Sequence, residues 1–125
     1  MLLTIDVGNT QIYCGVLKNN KVKARFRHIS SGAVTADELG VFLLGALAAN
    51  GVKAKEIKKV AISSVVPAIT RSIIHSIKKY FGLNPFVINR ETKTKIYFDN
   101  GTLNGLGADR IADIEGAFYM HPNKN

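Results

Sequence analysis

The sequence predicts an α/β fold, a mixed sheet of about five strands with helices packed on it. Two observations carry that prediction. The first 28 residues hold three short runs of strand-forming residues divided by turn formers. Beyond residue 35, segments of 3.6-residue periodicity alternate with short apolar runs, giving the order β-β-β-α-β-α-β-α. With 125 residues, 46% of them hydrophobic, the chain can bury one core and is short for two.

Each element has its own warrant. Residues 2–7 (LLTIDV) are rich in strand formers, and Gly8-Asn9-Thr10 breaks the run before 11–17 resumes it. Lys18-Asn19-Asn20-Lys21 signals a hairpin into a third strand, 21–28, so the opening reads as an antiparallel meander. Thr35 can cap a helix whose first turn carries Asp37 and Glu38, acids that suit the positive end of the helix dipole. Leu39, Phe42, Leu43, Ala46 and Leu47 give its apolar stripe, and Asn50-Gly51 closes it. Residues 58–66 read as a buried strand leading into a loop. Pro67 suits the first turn of a second helix, striped by Ile69, Ile73, Ile77 and Phe81 and stopped by Gly82. Residues 85–88 form a fifth short strand. An extended piece is expected near 96–98, and a third helix from about 107–109 to Met120.

Composition excludes several classes. No apolar run approaches the roughly 18–20 residues of a membrane span, and the N-terminus MLLTIDVG has no basic leader region, so neither a span nor a signal peptide is expected. Cys14 is the one cysteine, which excludes an internal disulfide and fits a reducing cytoplasm. Lys and Arg number 17 against 9 Asp and Glu, a net charge of +8 that favours anionic partners. Nucleic acid is an unlikely one, because the positive charges are dispersed. The densest run, 21–27, alternates Lys21, Lys23, Arg25 and Arg27 with Val22, Ala24 and Phe26, as a solvated strand face does.

Three segments could carry chemistry. Asp6-Val7-Gly8-Asn9-Thr10 sets a carboxylate at a strand end beside a Gly-polar-Thr turn. Gly8 would let a phosphate approach the main chain, Asn9 and Thr10 could donate to it, and Asp6 could hold Mg²⁺ directly or through water. Alone, the pentapeptide also reads as an ordinary hairpin turn. Gly107-Ala108-Asp109-Arg110 opens a helix, where free N–H groups attract an anion. Asp109 could take the proton of an attacking hydroxyl, and Arg110 offers a planar fork to a carboxylate or phosphate. The bland alternative is an acid stabilising its own helix. Ser63-Ser64-Val65-Val66-Pro67 lies where open α/β sheets place ligands, though alone it reads as a turn and cap. His28, His75 and His121 sit singly in different elements, so no zinc site is expected.

Together, DVGNT at 6–10, SSVVP at 63–67 and GADRIA at 107–112 resemble the type III pantothenate kinases of the acetate kinase/hexokinase/Hsp70/actin superfamily. The resemblance covers essentially the whole chain and implies a ribonuclease-H-like lobe. It further implies ATP-dependent phosphorylation of pantothenate at its 4′-hydroxyl, the first step towards coenzyme A. By motif, Asp6 would position Mg²⁺, and Gly8, Asn9 and Thr10 would meet the ATP phosphates. Asp109 would be the general base, with Gly107, Ala108 and Arg110 shaping the pantothenate site and Tyr97 near it. A monovalent cation (K⁺ or NH₄⁺), a homodimer and a cytoplasmic setting follow from the same likeness.

The chain departs from the family pattern in two places. No proline follows Tyr97 before the GADR motif, and Asp113 stands where asparagine is frequent. The family's second phosphate loop, of D-x-G-T-A type, does not occur in these residues. Residues 1–125 are therefore expected to be the N-terminal lobe of a two-lobed kinase, without turnover by themselves, because a phosphoryl-transfer clamp needs both sides. The alternative is a non-catalytic nucleotide-binding or regulatory module derived from that lobe.

Overall fold

A computed structural model of the chain describes residues 1–88. The extended piece near 96–98, the third helix, and the expected site residues Tyr97, Gly107, Ala108, Asp109, Arg110 and Asp113 lie outside the described residues, as does His121.

Five strands form one sheet: β1 (Leu2–Val7), β2 (Gln11–Lys18), β3 (Lys21–Ile29), β4 (Lys59–Ser64) and β5 (Phe86–Ile88). Their spatial order is β3-β2-β1-β4-β5. The first three are antiparallel, whereas β4 runs parallel to β1 and β5 parallel to β4, so the sheet is mixed, as expected. The β2–β3 hairpin turns on Asn19 and Asn20, both in the left-handed region (φ 51° and 61°) that a tight two-residue hairpin requires.

Two helices connect the parallel strands. Helix α1 (Ala36–Ala49) starts in a full capping box: Thr35 Oγ1 accepts from the Glu38 N–H at 3.1 Å, and Glu38 Oε2 accepts from the Thr35 N–H at 3.3 Å. Helix α2 (Pro67–Phe81) opens on Pro67 and stops at Gly82, whose φ of 63° is the left-handed stop glycine supplies cheaply. The core lies between these helices and one face of the sheet. Leu3, Ile5, Val7, Ile12, Cys14, Val16, Val60 and Ile62 meet Leu39, Leu43, Leu47, Ile69, Ile73 and Ile77 there. Phe42 of α1 reaches β3, packing edge-on against Phe26 (centroids 5.8 Å apart) and His28 (4.7 Å).

The structure corrects one detail and adds two. Strand β4 ends at Ser64, where the expected loop begins: the Val65 N–H turns to the Val7 carbonyl and the Ser64 hydroxyl oxygen accepts from the Val66 N–H. The alternation along β3 is broken by a register shift: Val16 faces Ala24 but Leu17 faces Val22, which leaves Lys23 bulged out and Val22 44% exposed. A short 3-10 helix, Ala54–Glu56, precedes β4.

Candidate functional site

Parallel pairing decides where the candidate residues meet. Because β1 and β4 run the same way in the register Asp6↔Ser63 and Val7↔Ser64, the segments 6–10 and 63–67 leave the sheet side by side at its C-terminal end. The Val65 N–H to Val7 carbonyl bond, 3.1 Å, ties the two exits together. Two of the three sequence-predicted segments are thus adjacent, although more than fifty residues separate them. The third lies outside the described residues.

Residues 8–10 form the tip of the β1–β2 hairpin. The Gly8 N–H donates to the Gln11 carbonyl at 2.9 Å, and Ser30, the residue after β3, braces the turn. There the Ser30 hydroxyl donates to the Gly8 carbonyl at 2.7 Å and the Ser30 N–H to the Thr10 carbonyl at 2.9 Å. Asn9 and Thr10 stay exposed, and no hydrogen bond among the described residues uses either N–H. Gly8 does not use left-handed backbone angles. Its lack of a side chain matters instead, since a Cβ would sit 3.3 Å from the Gln11 carbonyl oxygen and crowd the turn. The tip therefore carries small or polar groups on a braced backbone, with two N–H groups that no described residue uses.

Asp6 is half-buried on the sheet face opposite the helices. Register places Arg27, Tyr13, Asp6, Ser63 and Ile88 in one row across the five strands. The Arg27 guanidinium lies over the Tyr13 ring, 5.1 Å from its centroid, a cation–π contact flanking the carboxylate's neighbour. The Asp6 carboxylate has the oxygen chemistry magnesium takes, since that ion is held through one or two carboxylates and keeps several waters, whereas the N–H donors of the neighbouring turn suit an anion. No cluster of three or more His, Cys, Asp or Glu among the described residues offers a competing all-protein metal cage.

The serines of the second segment divide in function. Ser64 is tied into the start of α2: its Oγ accepts from Thr70 Oγ1 at 2.6 Å and from the Val66 N–H at 3.1 Å. Ser63 is 2% exposed, and its hydroxyl has no partner among the described residues. The sequence signalled a turn and cap for the whole segment, which describes Ser64 and not Ser63. Cys14 is buried among apolar side chains, and burial pushes its thiol up to about 12, which suits a core residue rather than a nucleophile.

This sheet with two helices on one face is shared with sugar kinases. A ROK hexokinase from Thermus thermophilus matches with a TM-score of 0.54 and 17% identity, over 71% of this chain and 35% of its own. A putative N-acetylglucosamine kinase from Porphyromonas gingivalis matches with a TM-score of 0.51 and 22% identity, over 70% and 33%. The fold is accordingly a ribonuclease-H-like lobe of the kind those kinases contain. Sequence narrows the class: the profile of the type III pantothenate kinases matches residues 2–125, and the chain belongs to that family. The type III pantothenate kinase of Elusimicrobium minutum is 46% identical over the full 125 residues, and that of Legionella pneumophila 42%. In both cases the match covers 48% of the relative, so the chain spans about half the length of these curated relatives.

Proposed function

We propose that this chain is the N-terminal lobe of an enzyme that transfers the γ-phosphoryl group of ATP to the 4′-hydroxyl of pantothenate. The observation that supports it most is the family match over 2–125, with the DVGNT turn at the open end of the sheet. In this reading the N–H groups of Asn9 and Thr10 and the side-chain-free edge at Gly8 receive the ATP phosphates. Asp6 holds Mg²⁺, which when bound neutralises phosphate charge. Asp109 accepts the hydroxyl proton as the 4′-oxygen bonds to phosphorus and the bond from that phosphorus to the ADP oxygen breaks. Gly107, Ala108 and Arg110 bind pantothenate, with Tyr97 beside them. A second lobe completes the clamp and carries a monovalent cation site, and two copies assemble as a dimer in the cytoplasm.

Coupled measurement of ADP release tests the proposal. The 125-residue chain alone should show little turnover, and the protein that continues into a second lobe should turn over with pantothenate. There Asp109→Asn should lower kcat by 10²-fold or more, in line with the roughly 10²–10⁴-fold contribution of a general base. Asp6→Asn should raise the Mg·ATP requirement. Turnover by the 125-mer that Asp109→Asn abolished would refute the two-lobe requirement, and unchanged kinetics in both variants would refute the assigned roles.

A further inference from the structure

Ser63 is buried on β4, and its hydroxyl finds no hydrogen-bond partner among the described residues. Buried hydroxyls are nearly always bonded, because leaving one unmade sacrifices its hydration for nothing. A local cap does not explain it. Ser64, one residue on, takes all of those bonds on the helix side of the sheet. Ser63 projects from the other face, in register with Asp6 on β1. Neighbouring strands lie about 4.8 Å apart, so the hydroxyl sits roughly one water-bridged hydrogen bond from whatever the Asp6 carboxylate holds.

We propose that Ser63 is a positioning residue of the Asp6 site, its hydroxyl accepting a hydrogen bond from a water in the hydration shell of the Mg²⁺ that Asp6 holds. The inference rests on the reading of Asp6 as the cation residue. Magnesium gives up its waters reluctantly, so a protein that binds it through a single carboxylate gains orientation by bonding those waters. The carboxylate and hydroxyl come from different strands joined by backbone hydrogen bonds, so the sheet itself fixes their separation. Tyr13, in register on the far side of Asp6 and capped by Arg27, bounds the row opposite Ser63.

The test uses the two-lobed protein and a fluorescent non-hydrolysable ATP analogue, titrated with Mg²⁺ and separately in EDTA. Ser63→Ala should raise the Mg²⁺ concentration at half-saturation about tenfold, the low end of what lost outer-sphere ligands cost. Its metal-free affinity for the analogue should be unchanged, and its ligand-free Tm unchanged or higher. Ser63→Thr, which keeps the hydroxyl, should restore most of the Mg²⁺ response. A wild-type Mg²⁺ requirement in Ser63→Ala would overturn the proposal. So would an equal loss of affinity in EDTA, or a lowered ligand-free Tm, which would mark a structural role. Asp6→Asn separates the two claims. If it shifts the Mg²⁺ requirement while Ser63→Ala does not, Ser63 alone is misassigned; if neither shifts it, the Asp6 reading fails as well.

Discussion

Two glycines in helix α1 should respond oppositely to the same substitution. Gly45 is exposed, and a Cβ built on it meets nothing within 4 Å. Gly45→Ala should therefore gain the full helix-propensity difference, about 1 kcal/mol. Gly40 is buried against α2, where an added Cβ would overlap the Tyr80 ring at Cδ2, Cε2 and, at 2.7 Å, Cγ. That ring has little room to yield, because its hydroxyl donates to Asp37 Oδ1 at 2.6 Å and its base is fixed on α2. Overpacking of this kind costs about 1–3 kcal/mol, and the pinned ring argues for the upper part of that range. Setting the same propensity gain against it, Gly40→Ala should be destabilised by about 1–2 kcal/mol. Urea unfolding followed by far-UV circular dichroism would place the two variants on opposite sides of the wild type, about 2–3 kcal/mol apart. In a Tyr80→Ala background, Gly40→Ala should turn stabilising. If Gly40→Ala matched Gly45→Ala in the wild-type background, or stayed destabilising without the ring, the packing argument would be refuted.

Other sites give shorter tests. Cys14, its thiol pushed by burial from 9.0 to about 12, has a thiolate fraction at a given neutral pH about 10³-fold below that of an ordinary cysteine; disulfide-exchange reagents should label it no faster than the chain unfolds. Rapid labelling of the native protein would contradict that. The Lys79 ammonium, donating to Asp37 at 2.8 Å, holds the exposed Asp37 carboxyl below its usual range with help from the Tyr80 hydroxyl, and Asp37 in return pushes Lys79 and Tyr80 up. The depressed acid contributes stability above about pH 4 that is lost as pH falls further, and the raised groups contribute below about pH 10 and lose it above. The small Tm difference between wild type and Asp37→Asn should thus hold across the middle range and shrink at both ends. A difference at pH 3 equal to that at pH 7 would count against the cluster. Ser76 of α2 is fully buried, and its hydroxyl has no partner among the described residues, so Ser76→Ala should stabilise by about 1 kcal/mol in a thermal melt, and a lowered Tm would show that the hydroxyl is satisfied.

Local signals in the sequence carried most of the described fold. The Asn19-Asn20 hairpin, the Thr35 cap and the Gly82 stop are decided by a few neighbouring residues, so each is readable where it stands. The bulge at Lys23 was not readable, because alternation written along one strand says nothing about the partner's register. The pairing of β1 with β4 is likewise a long-range choice, made by burying both strands' apolar faces under the same two helices. That pairing turned two unremarkable segments into neighbours. Asp6 and the Gly8 turn could be picked out from residue chemistry alone, whereas Ser63 could not be told from Ser64 until the sheet assigned them opposite faces.

That division of faces reaches beyond the serines. The helix-covered side carries the apolar core, and the opposite side carries the row through Tyr13, Asp6 and Ser63, so the core and the candidate site residues are separated by one residue's step along a strand. Ile62 and Ser63 put this to the test as adjacent residues of β4. Ile62, fully buried in the core, should lose about 2–5 kcal/mol on replacement by alanine, from lost transfer energy plus the cavity left behind. Ser63→Ala should cost nothing in the ligand-free protein, since it removes a buried group that forms no bond. Both quantities come from the same unfolding experiment. Comparable destabilisation by the two substitutions would mean that Ser63 belongs to the core after all, and the separation of faces at the open end of the sheet would fall with it.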